Sequence, residues 1–174
     1  MRTVLWLLAL VLLAGCAAVR PDANGWNDRT SGDGWRLLAK ETVRSFERAY
    51  VVHAATDADA YRELWRDIGF TGVGPQADMD EVVVVSFAHG IGSSCPELRL
   101  DDVVIDGSEV YSVASDPIVD ANGSPRACTA DLVGAVTFVV AIERDALPED
   151  GFTLWLSDAA RHGQFSEPLD VRLP

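Results

Sequence analysis

The sequence predicts an α+β fold that is mostly antiparallel β: a sandwich or partial barrel of seven to eight strands, with one packed helix over about residues 57–68. Three observations point there. Two runs, EVVVVSF at residues 81–87 and AVTFVVAI at residues 135–142, are continuous and valine-rich, the pattern of strands buried on both faces. Shorter segments alternate apolar and polar residues and are separated by turn residues. One stretch carries the helical period instead.

In chain order, WRLLAKETV at residues 35–43 and AYVVHA at residues 49–54 supply one or two strands. The helix follows. Thr56 is placed to cap it and Asp59 sits at the capping-box position, while Tyr61, Leu64, Trp65 and Ile68 form one apolar stripe. Gly69 supplies the stop, and Arg62, Glu63, Arg66 and Asp67 are left facing water. After the valine run come ELRLDDVVI (residues 97–105) and EVYSVA (residues 109–114), which flank the turn Asp106-Gly107-Ser108 and read as a hairpin. GFTLWL at residues 151–156 and PLDVRL at residues 168–173 alternate and complete the sheet.

Ahead of all this, Arg2 precedes an unbroken apolar stretch from Val4 to Ala14, the layout of a signal-peptide core. It is shorter than the roughly 20 residues a spanning helix needs. Leu13, Ala14, Gly15 and Cys16 resemble the lipobox of bacterial lipoproteins. The resemblance implies that residues 1–15 are a signal peptide, and that Cys16 takes a diacylglyceryl group on its sulfur and becomes the mature N-terminus. The protein is then expected in the cell envelope, anchored to the outer face of the cytoplasmic membrane or, in a Gram-negative cell, to the outer membrane. Acyl burial at about 0.8 kcal/mol per methylene makes two chains a sufficient anchor. Residues 16–34 are polar and turn-rich and read as a flexible tether, which for a chain of this length reaches about 25 Å. Residues 35–174 remain as a single β-rich globular domain.

The lipid has to do the holding alone. With 14 basic against 27 acidic side chains, the net charge of −13 is repelled by anionic headgroups and by nucleic acid, so no nucleic-acid partner is expected. If Cys16 is acylated, Cys95 and Cys128 remain as a pair in an oxidising compartment, and a disulfide between them is expected. Closing that loop would stabilise the fold by roughly 3–4 kcal/mol in the chain-entropy picture. Two free thiols or a two-cysteine metal site are the competing readings, and neither cysteine has a CxxC partner.

The order of the AYVVHA strand, the helix around YRELW, the EVVVVSF strand, the loop AHGIGSSC, a hairpin, a variable loop and the strand TFVVAIERDALP resembles the PrcB-type domain over roughly residues 50–156. That family is known from accessory proteins of a bacterial cell-surface protease complex. The resemblance implies a non-enzymatic, protein-binding module. Where the family carries a Thr-Gly-Gly-Tyr-like stretch, this chain has Gly92, Ser93, Ser94 and Cys95.

The segment HGIGSSC offers the candidate binding loop: His89, Gly90, Gly92, Ser93 and Ser94. It is not a phosphate loop, because no helix follows it, and it is not a nucleophile elbow, because it lacks GxSxG. His89 with Ser93 or Ser94 and a distant carboxylate is the hydrolase alternative. The acidic loop at Asp116, Asp120 and Asn122 reads as a turn, since Ile118 stands where a calcium loop needs its first aspartate. Trp155 shares an outward face with Thr153 and Ser157 and is the candidate exposed aromatic; with Trp26 and Trp35, or with a cleft beside HGIGSSC, it gives a small-ligand or glycan-binding alternative, against which stands the packing of these rings in the core. The leading expectation is a lipid-anchored, non-catalytic module that binds another envelope protein, with no cofactor and no metal.

Overall fold

The computed structural model describes residues 28–93, 98–115, 131–163 and 166–174. In chain order its elements are β1 (Ser31–Gly32), β2 (Trp35–Val43), β3 (Val51–Ala55), α1 (Ala58–Asp67), β4 (Val82–Gly92), β5 (Arg99–Asp106), β6 (Glu109–Ser115), β7 (Leu132–Glu143), β8 (Phe152–Ser157), α2 (Asp158–Arg161) and β9 (Leu169–Val171). They form a β-rich α+β sandwich rather than a closed barrel. One sheet has the order β1-β2-β7-β4-β3 and is antiparallel throughout; the other has the order β5-β6-β8-β9. In the second sheet β6 and β8 run parallel, which a hairpin cannot achieve. The crossover is β7 itself, which passes through the opposite sheet between them.

The two valine runs are the centre of the molecule because they are covered on both sides. Val83, Val85, Phe87 and Ile91 of β4, with Val136, Phe138, Val140 and Ile142 of β7, pack against Leu100, Val110, Leu154 and Leu156 of the second sheet. On the opposite face Val82, Val84, Val139 and Ala141 are buried with Leu64 and Ile68 of α1 and with Phe70. Each large side chain buried this way contributes roughly 1.5–3 kcal/mol, so the middle sheet of three layers holds most of the apolar stabilisation.

The helix begins one residue later than the sequence suggested. Asp57, not Thr56, is the cap: it is extended, and its Oδ1 accepts from the backbone N–H of Asp59 at 2.9 Å and of Ala60 at 2.8 Å. A carboxylate there satisfies two orphan donors and meets the positive end of the helix dipole. Gly69, at φ +76°, ends the helix as expected.

Three further departures matter for the site. Strand β4 continues through Gly92, so His89, Gly90 and Gly92 are strand residues rather than loop residues. Pairing along β7 carries them: His89 lies opposite Val136, Gly90 opposite Ala135 and, after a register shift, Gly92 opposite Leu132. Residues 28–34, expected as the end of a tether, are built into the fold. The Asp28 carboxylate accepts from the Leu100 N–H at 2.9 Å and from Lys40 at 3.0 Å, and the Arg29 N–H donates to the Leu100 carbonyl at 2.7 Å. Finally, α2 was not anticipated; Ser157 caps it through the Ala160 N–H at 3.3 Å. Cys16, Cys95, Cys128, Ser94, Trp26 and the acidic loop at Asp116, Asp120 and Asn122 lie outside the described residues.

Candidate functional site

His89 is on the face of β4 that looks into the sandwich, and its ring meets Phe138 edge-on at 6.1 Å. Its Nε2 is 2.8 Å from the Oγ of Ser112, a fully buried residue on β6. The Ser112 hydroxyl donates in turn to the Leu156 carbonyl. Leu156 is the residue passed over where the β6–β8 register shifts, Tyr111 lying opposite Trp155 and Ser112 opposite Ser157. With its one proton committed to that carbonyl, Ser112 can only accept from His89, which fixes the ring as the Nε2–H tautomer. Burial holds the imidazole pKa down at about 4, so it is neutral around pH 7.

The arrangement is a strut between the sheets. Sequence alone placed Ser93 and Ser94 beside His89, yet the hydroxyl that His89 meets comes from β6. A signal for it existed: along EVYSVA the inward positions are Val110, Ser112 and Ala114, and a serine among inward apolar residues needs a partner. Gly90 also has a structural use. A Cβ built on it would lie 2.4 Å from the ring of Tyr50, and Tyr50 itself holds the left-handed φ of +62°. Gly92 ends β4 and Ser93 is exposed just beyond it.

The tryptophans do not form an open row among the described residues. Trp35 is buried, and its Nε1 donates to Asp102 Oδ1 at 3.1 Å, with Arg29 pairing with the same carboxylate at 2.8 Å. Trp155 is half-buried and packs against the core, with its indole N–H buried and without a hydrogen-bond partner. His53 is also half-buried on β3, where desolvation lowers its pKa against the opposing pull of Asp67. Among the described residues no group of three or more His, Cys, Asp and Glu side chains is arranged to hold a metal ion.

A cleft of about 660 Å³ opens at the end of the first sheet where β4 begins and β7 ends. Val82 and Ala141 belong to its lining, with Arg36, Glu81, Glu143 and Asp145 around them. Arg144 stands between this cleft and a neighbouring one of about 320 Å³ beside Asp57 and Asp80. The Arg144 guanidinium is held rigidly: Nε donates to the Met79 carbonyl at 3.1 Å, and Nη2 donates to the same carbonyl at 3.0 Å and to that of Thr56. Nothing in the sequence marked these charges, because residues at strand ends look like ordinary solvated ones. In comparisons with protein-family models, curated proteins and solved structures, nothing matches the chain.

Proposed function

We propose that the protein is a non-catalytic module of the cell envelope, held by lipid on Cys16, that binds another envelope protein. The observation that carries the non-catalytic part is the commitment of His89. A general base must reach a proton it can take from a nucleophile, and the hydroxyl within reach of this imidazole has given its proton to the Leu156 carbonyl deep between the sheets. The hydrolase alternative is thereby disfavoured. The protein-binding part rests on the resemblance of residues 50–156 to PrcB-type domains, which implies a protease as the kind of partner. The anchoring part rests on the lipobox. A glycan platform built on Trp155 is disfavoured by the packing of that ring against the core.

The test is affinity capture of the full-length chain from detergent-solubilised membranes, alongside a Cys16→Ser control. An envelope protein enriched with the wild type, depleted with the control and rebinding when both are purified is the expected result. Recovery of nothing above the control would sink the reading.

A further inference from the structure

We propose that the cleft beside Arg36 is a binding site for a zwitterionic ligand of short-peptide size, its carboxylate taken by Arg36 and its ammonium group by Glu143 and Glu81. This goes beyond the protein-binding reading and does not depend on it. The first argument is placement. Arg36 lies opposite Ala141 across the β2–β7 ladder, and Glu143, paired with Val82, is two residues further along β7. By the alternation of the strands, Arg36, Ala141, Glu143 and Val82 all project from the same face of the sheet. Strand β7 separates β2 from β4, so the Arg36 side of the cleft and the Glu81 side are about 10 Å apart, two strand spacings. Between them lie the small apolar side chains of Val82 and Ala141.

The second argument is charge. Arg29, Lys40, Arg62, Arg99 and Arg161 each hold a carboxylate within ion-pair distance. Arg36 does not, although Glu143 is its diagonal neighbour on the same face, and among the described residues neither Glu143 nor Glu81 has a cationic partner. Arg36 and Glu81 are thus set on two sides of one cleft, with Glu143 on the strand between them, and no ion pair joins the three. A guanidinium matches a carboxylate in two parallel hydrogen bonds, and two carboxylates match an ammonium. The third argument is size: about 660 Å³ is far larger than one ion requires and falls within the roughly 300–1,000 Å³ of ligand pockets. Because Glu81, Glu143 and Asp145 outnumber Arg36 and Arg144, a peptide with one extra positive charge fits best.

Isothermal titration of the full-length protein with the dipeptide alanyl-lysine tests this, beside the same dipeptide acetylated at its N-terminus and amidated at its C-terminus. Saturable binding of the free dipeptide is expected, weakened about tenfold or more by Arg36→Gln and by Glu143→Gln, with the blocked dipeptide failing to bind. Both substituted side chains are exposed, and an unchanged circular dichroism spectrum verifies that the variants fold. Absence of saturation up to about 10 mM, or equal affinity in Arg36→Gln, overturns the proposal.

Discussion

His89 shows how one side chain can look catalytic in a sequence and be structural in the fold. Its neutral form is the one that fits between the sheets, so acid should act through it. The folded pKa of about 4 lies below the ordinary value of 6.5, and between those values the unfolded chain binds more protons. The stabilisation is therefore complete above pH 6.5 and is lost as the pH falls toward 4. From pH 7.5 to pH 5 the His89 contribution should drop by about 2 kcal/mol, as the linkage relation requires for a shift of this size. Urea unfolding at the two pH values checks it. The difference should shrink by that amount in His89→Gln, and an identical pH dependence in the variant would remove the claim.

At the scale of elements, the central strands were legible because burial on both faces leaves nothing but apolar residues to choose. Val82 to Phe87 could be read as such a strand with no partner in view. Its last third could not. His89, Gly90 and Gly92 look like loop chemistry, and only the pairing with β7 and the Tyr50 ring lying on Gly90 make them strand. The parallel β6–β8 pair was illegible for a different reason, since it depends on β7 crossing in the other sheet, which no local pattern records. The cleft charges were missed because pairing across strands, not spacing along the chain, brings Arg36 near Glu143. The Gly90 site yields its own expectation. Gly90→Ala drives a methyl group into Tyr50 and should cost about 1–3 kcal/mol, the usual range for overpacking. A double-mutant cycle with Tyr50→Ala measures it: the cost of the Gly90 change should nearly vanish when the ring is absent.

At the scale of the whole molecule, the question is what closes the sandwich along the side where β1, β2 and β5 come together. Strand β5 is the edge of its sheet and β1, only two residues long, is the edge of the other. Residues 28–30 bind both sheets, through β5 and β2. Asp28 takes the Leu100 N–H of β5 and the Lys40 ammonium of β2; Arg29 takes the Leu100 carbonyl and, through its side chain, Asp102; and the Thr30 carbonyl accepts from the Leu37 N–H of β2. The last part of the expected tether is thus the stitch between the sheets, and the Leu100 side chain behind it is fully buried. Asp28→Ala removes the acceptor of a half-buried N–H and should cost about 1–3 kcal/mol, more than the 0–1 kcal/mol of a surface ion pair, because an amide is left unsatisfied. Lys40→Ala, which removes the ion pair and the contact of the ammonium with the Phe138 ring at 5.4 Å but leaves the Leu100 N–H its acceptor, should cost less. Native-state hydrogen exchange distinguishes a local from a global effect: the Leu100 amide should exchange faster in Asp28→Ala than in Lys40→Ala, relative to the amides of β4 and β7. Equal protection of Leu100 in the two variants would mean that the seam is held by side-chain packing and that the stitch contributes little.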